Sequence, residues 1–151
     1  MATVKRFEEL ECWQSGRRLK QVIYRFTRRP EFRSDFPLVS QIRRAAQSVT
    51  SNIAEGFERG GNRELIQFLS QSKGSVGEVK DQLYTALDEN YISQDDFEKA
   101  YNLGEQTTRL IGGFMSYLQN TEKAGPKFAA RSSRRGEPPS AVPLPTPNPE
   151  L

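Results

Sequence analysis

The 151-residue chain contains no histidine. That removes every His-dependent catalytic triad, the His ligands of most catalytic zinc sites and the Glu-x-x-His motifs of di-iron bundles. Cysteine is almost as scarce: Cys12 stands alone, cannot form an internal disulfide, and fits a reducing compartment. Long apolar runs are missing too. No stretch approaches the roughly 20 apolar residues that span a bilayer, and Met1 to Glu9 lack the apolar run of a signal peptide. These absences lead to the expectation of a cytoplasmic protein with no membrane partner. The length argues for one domain with a core large enough to need no staples.

Proline is nearly absent from most of the chain and crowded at its end. Seven of the nine prolines (Pro126, Pro138, Pro139, Pro143, Pro145, Pro147 and Pro149) fall in residues 124–151. Proline removes backbone donors, and this segment has few large apolar groups with which to offset its ordering entropy. The expected division is a folded domain over 1–123 and a flexible, disordered Pro-rich tail over 124–151.

Within 1–123 the apolar residues recur at helical spacing. A first helix is expected from about Phe7 to Arg28, carrying Leu10, Trp13, Gly16, Leu19, Ile23 and Phe26 on one face, with Pro30 as its stop. A second begins near Pro37, with Asp35 placed to cap it. Its stripe is Leu38, Ile42, Ala45, Val49 and Ile53, and Gly56 is expected as its left-handed C-terminal cap. Asn62 is placed to cap a third helix. That helix has the most regular stripe: Leu65, Leu69, Ser72, Val76, Val79, Leu83 and Ala86 step 4-3-4-3-4-3, a heptad seam. Gly74 and Gly77 weaken it by about 1 kcal/mol each relative to alanine, which suggests a close neighbour there. Ser93 is placed to cap a fourth helix, with Phe97, Tyr101, Gly104, Thr108, Ile111, Met115 and Leu118 as its stripe. Short connections make successive helices antiparallel. The expected fold is all-α, an antiparallel up-down-up-down four-helix bundle.

Charge is distributed unevenly. Residues 1–63 carry +6, residues 64–123 carry −5 and residues 124–151 carry +2, within a total of +3. Such asymmetry can draw phosphates to one face, or let one copy's basic face meet another's acidic face.

The second helix is the most informative. Beside its apolar stripe runs a polar one, Gln41, Arg44, Ser48, Asn52 and Glu55, amid small residues Ala45, Ala46, Ser51 and Ala54. A helix with two such faces has two neighbours to satisfy. Gln41, Ser48, Asn52 and Glu55 are therefore candidates for a hydrogen-bonded network, within the bundle or between subunits; a solvated polar flank is the plainer alternative. Ser40-Gln41-Ile42-Arg43-Arg44-Ala45, Asn52-Ile53-Ala54-Glu55-Gly56, Phe68-Leu69 and Gly74-Ser75, with Trp13 upstream and Tyr91-Ile92 downstream, closely resemble the four-helix-bundle proteins encoded in intervening sequences of 23S ribosomal RNA genes. The resemblance covers roughly residues 5–120. More distantly, the chain is similar to the accessory variability determinant of diversity-generating retroelements, a bundle that partners a reverse transcriptase and nucleic acid. The resemblance implies an all-α fold, a homopentameric ring and no known enzymatic activity. Gln71-Ser72-Lys73 departs from the more apolar segment frequent in such proteins, and the Pro-rich tail lies outside the likeness.

Two kinds of chemistry remain to be weighed. Arginine binds phosphate through charge and paired hydrogen bonds, so Arg43, Arg44, Arg59 and Arg63, with Arg17 and Arg18 secondary, are candidates for contact with RNA or DNA. Arg43 and Arg59 would lie roughly 24 Å apart along one helix, so one patch is not assured, and the plain alternative is a solvated surface with intersubunit salt bridges. Glu55 with Glu58 and Glu78 with Asp81 are similar to the acidic pairs with which Mg-dependent all-α nucleotide pyrophosphohydrolases hold magnesium. That enzyme is the alternative reading, weakened because Ala54 replaces a doubled glutamate and Gly56 is expected to end the helix. Arg59-Gly60-Gly61-Asn62 lacks the Gly-Lys-Ser/Thr ending of a phosphate loop. Trp13 is expected in the core. The reading is a non-catalytic homo-oligomeric scaffold or accessory protein, with no cofactor and no metal, partnered by itself and by RNA or DNA or a nucleic-acid enzyme.

Overall fold

The computed structural model describes residues 3–132, and side chains as far as Thr121. Among the described residues the chain is all-helical, with no strand. A 3-10 turn, Phe7–Glu9, leads into α1 (Glu11–Thr27), α2 (Pro30–Arg33), α3 (Phe36–Glu58), α4 (Asn62–Asp88) and α5 (Gln94–Ser132). None of these helices is long and apolar enough to cross a membrane. The change of composition at residue 123 falls inside α5, and residues 133–151 of the expected tail lie outside the described residues.

Local chemistry sets most of the helix ends. Asp35 caps α3, its carboxylate accepting from Leu38 N at 3.2 Å, and Ser93 Oγ accepts from Asp96 N at the start of α5. Asn90 closes α4 with φ 60°. Its own N–H bonds to Leu87 O and the Tyr91 N–H bonds to Ala86 O, the paired arrangement that satisfies the last carbonyls of a helix. Three expectations change. Pro30 does not simply stop α1; it opens α2, because proline fits a first helical turn, where its missing N–H costs nothing. Asn62 is already helical, and Gly61 takes the cap position without a side-chain bond. Gly56 lies inside α3, and the left-handed residue is Gly60, at φ 82°.

The register of the long helices follows from their side-chain bonds. Thr27 meets Arg43 and Lys20 meets Thr50, so α1 and α3 run antiparallel. Ser72 donates to Val49 O and Ser75 to Ser48 Oγ, which orders α3 and α4 the same way. Lys80 pairs with Glu105, and Tyr84 touches Phe97 and Tyr101, between α4 and α5. Ser15 meets Thr107, and Arg29 meets Asp96, closing α5 onto α1. The seam between α1 and α3 thus lies opposite the seam between α4 and α5.

The seven seam residues of α4 are all buried. Among the described side chains of α5 the buried set is Phe97, Ala100, Gly104, Thr107, Ile111, Phe114 and Leu118. It shares every other position with the expected stripe but takes Ala100, Thr107 and Phe114 in place of Tyr101, Thr108 and Met115, which flank the core half-buried. Thr107 belongs inside because its hydroxyl is satisfied there: it donates to Leu103 O at 2.8 Å and so accepts from Ser15 Oγ at 2.6 Å. Trp13 is half-buried against the core and meets Phe7 edge-on.

Gly56 and Gly16 are contact glycines. A Cβ on Gly56 would stand 2.6 Å from Phe68 Cβ, and one on Gly16 would stand 2.9 Å from Val49 Cγ1. Gly74 and Gly77 are the reverse of what their sequence suggests: nothing lies within 4 Å of where their side chains would be.

Candidate nucleic-acid interface

The polar stripe of α3 divides. Ser48 and Asn52 turn toward α4: Asn52 Nδ2 donates to Ser48 Oγ and to Ser48 O, both at 2.8 Å, and Ser75 donates to Ser48 Oγ at 2.9 Å. This network lies within the chain and joins two helices. Gln41 and Glu55 take no part in it. Both are exposed, and Glu55 instead pairs with Arg59 at 3.0 Å.

The six candidate arginines do not form one patch. Arg43 is turned inward: its Nε donates to Thr27 Oγ1 at 2.8 Å and its guanidinium lies 4.5 Å from the Tyr24 ring centroid. Both contacts are made on α1, so Arg43 ties two helices together. Arg44 and Arg18 are exposed. Arg17 lies over Trp13, 5.8 Å from its ring centroid. Arg59 sits 5.1 Å from the Phe68 ring centroid, and the carboxylate of Glu55 holds its proton more tightly than usual. Arg63, also exposed, follows just beyond the α3–α4 turn. Arg59 and Arg63 therefore belong to one end of the chain's fold, and Arg43 to the other.

Carboxylates are absent from much of the same surface. No Asp or Glu occurs between Glu11 and Glu31, or between Asp35 and Glu55. Those two stretches are nearly all of α1 and α3, and the two helices pack side by side. Their outer surface holds Arg17, Lys20 and Arg28, with Arg43 turned in between the two helices, and none of the four has a carboxylate partner among the described residues. Several cations elsewhere do have a carboxylate partner: Arg29 has Asp96, Lys80 has Glu105 and Lys99 has Asp95. Between α1 and α3 lies a groove of about 320 Å³ lined by Lys20, Gln21, Tyr24, Arg28 and Gln47. Gln21, Tyr24 and Gln47 carry no charge to mark them in the sequence, and only the antiparallel packing of α3 on α1 brings Gln47 to the other four.

A larger cavity of about 450 Å³ lies where the N-terminal segment, the α3–α4 turn and the later part of α5 meet, lined mainly by apolar groups including Val4, Leu10, Phe57, Leu65, Phe114 and Leu118. The carboxylate pairs are placed as follows. Glu55 and Glu58 share α3, since Gly56 does not end it, and Glu78 and Asp81 sit on the exposed side of α4. Among the described residues, no three acidic or sulfur side chains gather as a metal-holding group.

Two carboxylates with displaced acidity report structural pairs. The Arg29 guanidinium holds Asp96 below the usual carboxylate range, and Lys80 does the same to Glu105. Burial pushes the Cys12 thiol from 9.0 up to about 12. Thiolate is the reactive form, so labelling of the native protein at pH 8 should be roughly 10³-fold slower than that of the unfolded chain. The same displacement fixes a pH dependence. Above pH 9 the unfolded thiol ionises and the folded one does not. This contribution is fully present below pH 9 and is lost as pH rises toward 12. Urea midpoints measured from pH 8 to pH 11 should fall, and Cys12→Ala should flatten part of that fall.

Comparison with curated proteins found no match. A family profile described as 23S rRNA-intervening sequence protein matches residues 8–113. The matched span opens at the 3-10 turn and takes in α1 to α4 and half of α5, so it covers the helical core together with the acid-free α1–α3 surface. This chain belongs to the 23S rRNA-intervening sequence protein family.

Proposed function

We propose that the chain is the protomer of a homo-oligomer, an antiparallel up-down-up-down four-helix bundle that acts in the cytoplasm as a non-catalytic scaffold or accessory protein and contacts RNA or DNA through its α1–α3 face. The observation that carries the reading is the separation of charge across the fold. The α1–α3 surface holds cations without carboxylates, while α4 and the start of α5 carry Glu78, Asp81, Asp88, Glu89, Asp95 and Glu98 on the far side. Phosphate contacts are electrostatic and release counterions, and the chain has no motif for reading base edges. Arg44, Arg17 and Arg18 stand on or beside this face, and Arg59 and Arg63 lie apart from it at the α3–α4 turn.

Self-assembly is supported by surfaces the single chain leaves unfilled. Gly74 and Gly77 on α4 and Gly112 and Gly113 on α5 have open space before them, and Tyr84 is 49% exposed beside Phe97 and Tyr101. Helices approach closely where side chains are small. Light scattering should therefore give a single mass several times 17.2 kDa, five-fold for the ring the family resemblance implies. A monodisperse 17.2 kDa species at micromolar concentration would remove the assembly part of the reading. Copurification from cells, with and without nuclease, tests the other part: nucleic acid that follows the protein through purification and is lost on nuclease treatment supports it.

A further inference from the structure

We propose that the groove between α1 and α3, lined by Lys20, Gln21, Tyr24, Arg28 and Gln47, seats the phosphate backbone of a single nucleic-acid strand. The inference rests on the nucleic-acid reading above and assigns it a place that none of the sequence candidates marked.

The lining chemistry is that of an anion seat. Lys20 and Arg28 supply charge; Gln21 and Gln47 supply amide donors, and Tyr24 a hydroxyl, without adding a carboxylate. Arg43 packs against the Tyr24 ring and contributes its field from the groove wall, its Nε already committed to Thr27. Lys20 spends one donor on Thr50 Oγ1, at 3.1 Å. An ammonium has three donors, so two remain for a ligand. Its surroundings also disfavour its charge, through burial first and then through Arg17. An anion in the groove reverses that penalty, as Asp96 and Glu105 already do for Arg29 and Lys80.

The layout favours a chain of phosphates over one free ion. Lys20 and Arg28 lie about 12 Å apart along α1 at the normal helical rise, and Arg17 extends the row by most of another turn. Successive phosphates of a strand can meet them in turn, while a lone phosphate meets one end. The charges that line the groove, Lys20 and Arg28, meet phosphate and not base edges, so the contact is to backbone and independent of sequence.

The test uses the full chain and a fluorescently labelled single-stranded RNA of mixed sequence, with anisotropy read across a salt series. Gln47→Glu places a carboxylate at the groove and touches no packing, because Gln47 is exposed; affinity should fall about ten-fold at low salt. Arg28→Gln should make the log–log salt slope shallower by about 1. The double variant Arg59→Gln/Arg63→Gln should bind like the parent, and helical circular dichroism should be unchanged in all three. If the double variant loses binding while the two groove variants keep it, the strand sits at the α3–α4 turn: the groove proposal is overturned and the nucleic-acid reading survives. Displacement of the RNA by millimolar inorganic phosphate at constant ionic strength would reassign the groove to free phosphate. If the parent binds neither RNA nor DNA at low salt, the nucleic-acid reading itself fails, and the groove with it.

Discussion

Phe32→Ala should cost about 3–5 kcal/mol, the range for removing a buried phenyl ring. Phe32 belongs to α2, a helix of only four residues, yet it is 0% exposed. Its ring stacks on Tyr91 at 5.2 Å between centroids, and Tyr91 in turn donates to Asp35 Oδ2 at 3.0 Å. The same Asp35 caps α3 through its other oxygen. One side chain thus plugs the end of the fold where the α1–α3 connection meets the α4–α5 connection. Its loss leaves a cavity and loosens the group that positions the α3 cap. For a domain of this size the melting temperature should drop by about 10 °C or more. A drop under about 3 °C would mean that the ring is replaceable and that the fold does not depend on α2.

Alanine at two glycines of this chain should act in opposite directions. Helix propensity alone favours Gly→Ala by about 1 kcal/mol at any interior helical position. At Gly74 nothing opposes that gain, because the space before it is open; Gly74→Ala should stabilise the isolated protomer by roughly 0.5–1 kcal/mol. At Gly56 the new methyl would meet Phe68 Cβ at 2.6 Å and Leu65 Cδ1 at 3.1 Å. The first of these atoms is fixed to the α4 backbone, so α3 and α4 must part. Overpacking of that kind costs about 1–3 kcal/mol, which outweighs the propensity gain. Denaturant midpoints of the two variants, measured side by side, decide the matter: Gly56→Ala should lie below the parent and Gly74→Ala above it. Should Gly74→Ala instead lower the midpoint and lower the oligomer mass together, the open space before Gly74 is where another subunit packs.

Periodicity made the helices legible because burial follows spacing. The α4 seam could be read residue by residue, since its 4-3 alternation admits one phase. In α5 two phases competed. Tyr101 and Met115 look more like core than Ala100 and Thr107, and only the hydroxyl of Ser15, 92 positions away in sequence, decides for Thr107. Caps with a dedicated side chain, Asp35 and Ser93, were also legible. Glycine was not. Gly56 followed by Arg59-Gly60-Gly61 offers several stops, and a glycine that ends a helix looks the same in sequence as one that lets a helix come close. Phe32 was hidden by Pro30, which signals an end and here also begins a turn of helix. At the candidate interface the cationic side chains were visible, but their partners were not. Arg43 turns inward to Thr27, Arg59 is held by Glu55, and the groove combines residues from positions 20–28 with position 47. Such a combination exists only after two antiparallel helices have chosen their register.

The seam between α1 and α5 has a kinetic meaning. The other three seams join helices adjacent along the chain or separated only by the short α2, so each can form as a local hairpin with little loop to close. The Ser15–Thr107 contact closes a loop of 92 positions, and it can form only after the intervening helices have drawn the two ends together. Local order is reached early in such a topology and the long-range closure late. The buried hydroxyl pair is then absent from much of the climb to the transition state. Its hydrogen bonds act chiefly as a latch on the folded chain, slowing escape from the native state more than they speed arrival there.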